Sequence, residues 1–342
     1  MSITLKHLRR SFAGKAAVDG ITLDIETGEF FAIVGASGCG KSTLLRLIAG
    51  LEEPDHGEIR LAGRVVNGNG LHMPPEERGV GFVFQSYALW PHLDVRGNVS
   101  FPAEAAGLRR AEAAARADRH LHTVALGEFA ARRPAELSGG QRQRVALARC
   151  LAQDARIILM DEPLANLDPH LRASMEEELV RFHRTSGATT VFITHDQREA
   201  MAVADRMAVM SAGRFLQVGS PAEVYERPVS AEVARFIGQG VVQPVEVTSD
   251  GARLAGRPVA LRGHSGPPGS RQALFRPADL AVDAGNDAIP GRIVTAIYRG
   301  GHWEAQVEVE GLPLPFVVHL PAPARSGETL GLRVLGGWLL SD

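Results

Sequence analysis

Apolar and polar residues alternate with two different periods along the first 240 positions. Ile21 to Ile25 alternates apolar with polar, the period of a half-buried strand. Glu29 to Val34 is almost continuously apolar, which predicts a short strand covered on both faces. From Ser42 to Ala49 the apolar positions Leu44, Leu45, Leu47 and Ile48 fall on one helical face. Arg109 to Ala125, rich in Ala, Arg and Glu, reads as helix. Arg156 to Met160 is a second buried strand, followed by an Arg- and Glu-rich helix from Pro169 to Arg184. Val191 to Thr194 predicts another strand and Gln197 to Ala204 another helix. Strands that alternate with helices predict a parallel sheet with helices on both faces.

The pattern changes near residue 240. The last 102 residues hold 14 Gly and 10 Pro, against 23 Gly and 10 Pro in the first 240. No long helical period survives there, and alternations such as Gln306 to Glu310 predict short half-buried strands. The expected organisation is an α/β domain over 1–237, with a helical subdomain at about 88–150, and a small all-β barrel over 238–342.

A chain of 342 residues suits about two domains. Its 37 basic and 39 acidic residues nearly cancel, so no basic excess calls for a nucleic-acid partner. Two cysteines exclude a disulfide scaffold and suit a reducing compartment. The N-terminal residues lack the apolar stretch of a secretory leader, and no window has the length of a membrane span. Only Lys6, Lys15 and Lys41 are lysines among the 37 basic residues. A lysine retained against that preference for arginine points to chemistry that needs a compact ammonium.

Lys41 stands in such a place. Gly35-Ala36-Ser37-Gly38-Cys39-Gly40-Lys41-Ser42 fits G-x-x-x-x-G-K-[ST] between a buried strand and a helix. Glycines let backbone N–H groups turn inward on phosphate oxygens, and the helix N-terminus adds partial positive charge. Lys41 supplies a point charge for the β- and γ-phosphates, and the Ser42 hydroxyl can ligate Mg²⁺. Taken without that chemistry, the segment is a glycine-rich turn. A second motif, Ile157 to Glu162, is an apolar strand ending in two carboxylates. Asp161 can hold Mg²⁺ there, and Glu162 can act as general base on an attacking water. In a third, Leu137-Ser138-Gly139-Gly140-Gln141 opens a basic amphipathic helix, Arg142 to Ala152. Its free amides and hydroxyl form a second anion site, best used on a nucleotide held by another copy of the chain.

Together these motifs resemble the ATP-binding-cassette ATPases over residues 1 to about 237. The resemblance implies a P-loop, RecA-like cassette. It matches Gln85 to the glutamine loop that contacts Mg²⁺ and relays to a membrane partner. Ala165 to Asp168 matches a dimer-contacting loop, with Asn166 where Ala is commoner. His195 matches the switch histidine near the γ-phosphate, and Phe12 takes the place of an aromatic residue that stacks on adenine. Nucleotide contacts are thereby expected from Phe12, Gly35, Ser37, Gly38, Cys39, Gly40, Lys41, Ser42 and Thr43, from Ser138, Gly139, Gly140 and Gln141, and from Asp168. Catalysis is expected from Glu162, His195 and Gln85, and Mg²⁺ binding from Ser42, Gln85 and Asp161. Cys150 reads as helix packing.

Within the family, Tyr87 to His92 and Arg198-Glu199-Ala200 look like the importer branch. That implies a head-to-tail homodimer at the cytoplasmic face of the membrane. A permease would dock on the Gln85–His92 region with Trp90 as anchor, and a substrate-binding protein would act indirectly. The C-terminal module resembles the transport-associated oligonucleotide-fold barrel through Phe275 to Leu280, where Ala278 replaces a common Glu. A dimer platform is the expected role for it, with binding of a small regulator or anion as the alternative; nothing there suits oligonucleotides. Leu164 to Met175 and the Gly238–Val245 junction look most like the ferric-iron branch, with phosphonate, polyamine, sulfate and sugar importers as alternatives. Three other classes fit less well. A cassette ATPase acting on DNA or ribosomes is opposed by the neutral charge, and a GTP switch by the lack of a guanine-reading Asn-Lys-x-Asp. A non-hydrolysing nucleotide-gated protein is opposed by the presence of Glu162 and His195.

Overall fold

A computed structural model describes residues 1–341 except 69, 166–168, 264–267, 284 and 286–287. The chain forms two compact units, Met1–Pro221 and Ala222–Asp342.

The first unit begins with β1 (Ile3–Phe12), β2 (Lys15–Ile25), β3 (Phe30–Val34) and α1 (Lys41–Ala49). Next come β4 (His56–Leu61), β5 (Arg64–Gly68), β6 (Leu71–His72), β7 (Val80–Val83), α2 (Val95–Ala105), α3 (Arg110–Thr123) and α4 (Gly139–Ala152). It ends with β8 (Ile157–Asp161), α5 (Pro169–Ser186), β9 (Thr189–Thr194), α6 (Gln197–Val203), β10 (Arg206–Ser211) and β11 (Arg214–Gly219). An antiparallel sheet runs β2-β1-β4-β5-β6. A second sheet runs β11-β10-β3-β9-β8-β7 and is parallel apart from its β10–β11 edge hairpin. This is the expected α/β class.

β3, β8 and β9 are buried at every position. That is why β3 and Ile157–Met160 of β8 read as continuous apolar runs, while in β9 an apolar Val191–Ile193 centre is flanked by buried threonines. Leu44, Leu45, Leu47 and Ile48 of α1 join Phe31, Ile33, Leu159 and Ile193 and the inward residues of β1 and β2 in one core. The helix closes at Gly50, whose left-handed φ of 82° returns its N–H to the last turn. Arg78, buried, donates to the Leu47 and Ile48 carbonyls at 2.8 and 3.0 Å. Burial lowers its pKa to about 10, so it stays a cation at the negative end of the helix.

The second unit starts within α7 (Pro221–Glu226) and continues through α8 (Ala231–Phe236), β12 (Val241–Thr248), β13 (Gly251–Leu254), β14 (Arg257–Val259) and β15 (Arg262–Gly263). β16 (Gly269–Phe275), β17 (Leu280–Val282), β18 (Ile289–Tyr298), β19 (Trp303–Val309), β20 (Phe316–Leu320), β21 (Thr329–Val334) and β22 (Trp338–Leu339) follow. One sheet runs β14-β13-β12-β16-β22-β15. The other runs β17-β21-β18-β19-β20, and β17 also lies against β20, so it nearly closes as a barrel. Phe275 and Phe316 meet edge to face in the shared core.

The contact division between units falls before the expected 237/238 position. Arg276 supplies the reason. Its buried guanidinium donates to the carbonyls of Ile237, Gln239 and Tyr225 and lies 4.1 Å over the Tyr225 ring. Residues 225–239 are thus clasped to the all-β unit. Ala278 replaces a carboxylate in this motif, but the turn still has one: Asp279 accepts from the Arg276 N–H at 2.8 Å.

Candidate functional site

Four neighbouring parallel strands end together. Val34 of β3 is level with Thr194 of β9, Ile193 of β9 with Asp161 of β8, and Met160 of β8 with Val83 of β7. The segments that leave these ends are Gly35–Gly40, His195, Glu162 and Phe84–Gln85. Outside the carboxyl ends of parallel strands is where α/β sheets hold ligands.

The phosphate loop is shaped by close backbone approach. A Cβ on Gly35 would stand 2.2 Å from the Met210 carbonyl oxygen and 2.7 Å from Cys39 Sγ. On Gly40, at φ 111°, it would stand 1.9 Å from the Ala17 carbonyl oxygen. Gly38 differs: its φ is 79°, yet nothing lies within 4 Å. Packing demands glycine at the first two positions and conformation alone at the third. Gly40 caps α1 without a side-chain hydrogen bond, so no side chain competes for the first-turn amides. Ser37 is exposed, and Ser42 and Thr43 are half-buried at the helix start. Cys39 is buried with its thiol turned into the loop.

Lys41 is buried, and its ammonium donates to the Gly35 and Ala36 carbonyls at 2.8 and 3.1 Å. The charge is therefore held over the loop. Ser42 Oγ donates to Asp161 Oδ1 at 3.0 Å. Burial pushes the Asp161 carboxyl above its ordinary range, opposed by the Ser42 hydrogen bond and by Arg46 and Lys41. Two hard oxygen donors thus meet at the helix start. Among the described residues no group of three His, Cys, Asp or Glu could hold a metal. That pairing fits Mg²⁺, which takes one or two protein oxygens and completes its shell with phosphate and water.

Glu162 adopts φ 45°, a left-handed conformation rare for a side chain with Cβ. Its N–H donates to Ile193 O at 3.0 Å, which fixes the turn against β9. Glu162 Oε2 lies 3.2 Å from His195 Nδ1. A carboxylate oxygen accepts, so His195 Nδ1 is the donor in this contact. Gln85 is exposed in the turn after β7. Phe12 ends β1 with 43% of its surface exposed. Asn166 and Asp168 lie outside the described residues.

Ser138 is the N-cap of α4. Its Oγ accepts from the Gln141 N–H at 3.3 Å, and Gln141 Oε1 accepts from the Ser138 N–H at 2.8 Å. This reciprocal cap orders the segment. Gly139 is half-buried and Gly140 buried. α4 packs on α2, α3, α5 and β7, whereas α1 packs on β2, β8 and β9. The Ser138–Gln141 segment thus rides on a different layer from the phosphate loop.

A family model described as ABC transporter matches residues 18–165, and one described as TOBE domain matches 273–338. The sn-glycerol-3-phosphate import ATP-binding protein of Rhizobium johnstonii is 41% identical over 97% of this chain and 91% of its own. The chain belongs to the ABC transporter family. The Fe(3+) ions import ATP-binding protein of Agrobacterium fabrum is 40% identical over 90% of this chain and 88% of its own. A solved dimeric cassette, MJ0796, in a post-hydrolysis state bound to ADP and Pi, superposes with a TM-score of 0.57 at 32% identity. The match covers 64% of this chain and 98% of that one. This protein is accordingly the ATP-binding, ATP-hydrolysing subunit of an ABC importer.

Two residues of this importer ATPase escaped the sequence reading, Arg149 and Asn98. Tyr87 and Ala88 follow Gln85 with φ of 64° and 45°, two consecutive left-handed residues. Arg149 of α4, buried, donates to both their carbonyls at 2.9 and 2.7 Å and lies 5.2 Å over the Trp90 ring. The Tyr87 hydroxyl donates to Pro163 O at 3.2 Å. Asn98, fully buried, accepts from the Trp90 N–H and donates to the Trp90, Leu93 and Asp94 carbonyls. Trp90 itself is half-buried against Phe101, 4.6 Å between ring centres. Both rings line a cleft of about 470 Å³ with Val80, Pro102, Ala106 and Leu108. Only the run of aromatic and polar residues after Gln85 hinted at this arrangement.

Proposed function

We propose that two copies of this chain sandwich two ATP molecules and, through a permease, energise the uptake of ferric iron. The observation that carries the catalytic assignment is the convergence of Lys41, Ser42, Gln85, Asp161, Glu162 and His195 at four adjacent strand ends. Lys41 and the amides of Gly35–Gly40 hold the phosphates, and Phe12 takes the adenine. Ser42, Asp161 and Gln85 hold Mg²⁺, which neutralises phosphate charge when bound. Glu162 accepts a proton from the attacking water, and its contact with His195 keeps the carboxylate aimed. Ser138 and Gly140 of the second copy cap the γ-phosphate, with Gly139, Gln141 and Asp168 beside them. Closure excludes bulk water, and loss of the γ-phosphate removes the contacts that bridge the copies.

The Trp90–Phe101 cleft receives a short helix of the permease, with Trp90 as anchor. The protein then works at the cytoplasmic face of the membrane, and a substrate-binding protein delivers cargo to the permease. Among the described residues no helix is long and apolar enough to cross a membrane. The C-terminal unit serves as a dimer platform. Iron is favoured by the Leu164–Met175 segment and by the A. fabrum relative named for Fe(3+) import. The R. johnstonii relative, named for sn-glycerol-3-phosphate, supports that solute as the second reading.

The decisive assay compares ATPase activity and size-exclusion behaviour of wild type and Glu162→Gln in ATP and Mg²⁺. Turnover should fall by about 10²–10⁴ in the variant, with an ATP-dependent dimer retained. A variant that hydrolyses ATP normally removes Glu162 from the role of base. Uptake of ⁵⁵Fe(III) and of labelled glycerol 3-phosphate by cells lacking this gene separates the two cargo readings.

A further inference from the structure

Phe12 has one covered face and one open one. The guanidinium carbon of Arg10 lies 4.7 Å from the centre of its ring, yet the residue remains 43% exposed. Arg10 is held in turn by two carboxylates from the loop after α1. Nη1 meets Asp55 Oδ1 at 2.9 Å and Nη2 meets Glu52 Oε2 at 3.2 Å. Asp55 also accepts from the Ser11 N–H at 2.7 Å, and its own N–H donates to Arg9 O at 2.8 Å. The end of β1 is thus stitched to the loop on both sides of Arg10. Arg10 Nε is buried and makes no hydrogen bond. An arginine placed only for ion pairing would be expected to use that donor; this one leaves it unpaired and covers a ring.

We propose that Arg10 is a positioning residue for the adenine base, acting through Phe12. This rests on the reading of Phe12 as the base platform. A guanidinium against one face of a phenyl ring fixes the ring plane and draws its electron density, which favours stacking of a purine on the other face. The geometry has a second effect. α1 begins at the phosphate loop, and the loop that follows it carries Glu52 and Asp55. One stretch of chain therefore sets both the phosphate site and, through Arg10, the plane on which the base lies. Arg10 touches no nucleotide itself.

The test uses the full-length chain and compares affinity for Mg·ATP with affinity for Mg·tripolyphosphate, which has no base. Arg10→Ala should weaken ATP and ADP about five-fold, a modest fraction of an aromatic–base stack, and leave tripolyphosphate as it was. Asp55→Asn, which leaves Arg10 in place but loosens it, should give a smaller loss of the same kind. In a Phe12→Ala background, Arg10→Ala should have no additional effect. Equal losses for ATP and tripolyphosphate, or additive losses in the double variant, would overturn the proposal while leaving Phe12 as the platform. A Phe12→Ala variant that binds ATP as tightly as wild type would overturn the platform reading and the proposal with it.

Discussion

The hydroxyl of Tyr87 donates to the backbone carbonyl of Pro163, the residue after Glu162, at 3.2 Å. The turn that follows Gln85 is thereby joined to the turn that carries the carboxylate. The same tyrosine gives its own carbonyl to Arg149 on α4. One residue, by its hydroxyl and its carbonyl, links three segments, and two of them follow parallel strands of the sheet.

Tyr87→Phe keeps the buried ring and removes only this donor. The Pro163 carbonyl is left without it, at a stability cost of about 1 kcal/mol. We expect kcat for ATP to fall several-fold while the equilibrium affinity for ATP is retained, because the bond reaches the Glu162 turn and not the phosphate loop. Steady-state hydrolysis set against calorimetric binding checks this, and an unaltered kcat would refute it.

Arg149→Met removes both donors from two consecutive left-handed residues. Two orphaned carbonyls and a released strained turn should cost about 3 kcal/mol, visible as a lower urea midpoint. Arg149→Lys should recover less than half of it. A lysine carries one compact ammonium where the guanidinium fork serves two carbonyls and a ring face. Full rescue by lysine would mean that charge alone matters.

Gly38→Ala and Gly40→Ala separate conformation from contact in the phosphate loop. At Gly38 a Cβ meets open space and the cost is the left-handed backbone alone, about 1 kcal/mol. At Gly40 it meets the Ala17 carbonyl as well. That variant should lose several kcal/mol and detectable ATP binding. Thermal denaturation of the two proteins side by side distinguishes them; equal melting temperatures would contradict the packing argument.

Asp161 is a group whose function opposes stability. Burial raises its carboxyl above the ordinary 3.8, so the folded chain binds this proton more tightly than the unfolded one. Its contribution to stability is present in acid and is lost as pH rises from the ordinary value through the raised one. At neutral pH, Asp161→Asn should therefore stabilise the nucleotide-free chain and abolish Mg²⁺-dependent hydrolysis. The stabilisation should fade as pH falls and be gone well below 3.8, where Asp161 is protonated in the folded and unfolded chains alike. A destabilised variant at pH 7 would show that the Ser42 hydrogen bond outweighs desolvation.

The phosphate loop was legible because its chemistry restricts residue type: only glycine fits at Gly35 and Gly40, and an ammonium had to come from a chain that otherwise uses arginine. The buried strands β3 and β8 were legible because burial on both faces leaves a continuous apolar run, and β9 by its short apolar centre, Val191–Ile193. Arg149 and Arg276 were not recognised as clasps, since their partners are backbone carbonyls and any residue can supply those. Arg10 was hidden for another reason, its carboxylate partners being more than 40 positions away. α2 has a proline at Pro102 inside it and few apolar repeats, so its existence depended on the Asp94 cap and on Asn98, whose bonds emerge only after folding. The contact division precedes the expected 237/238 because Arg276 gathers residues 225–239 onto the strands, whereas composition changes where those strands begin.

The cap of α4 has a consequence for how fast two copies can come together. Ser138 Oγ uses a lone pair to satisfy the Gln141 amide. Accepting that bond leaves the hydroxyl proton uncommitted. The same oxygen can hold its own helix and, by turning one O–H bond, donate to a phosphate brought by another copy. Docking then requires no fraying of the helix and no exchange of caps. In the proposed sandwich, this surface meets the nucleotide without rearranging its own helix.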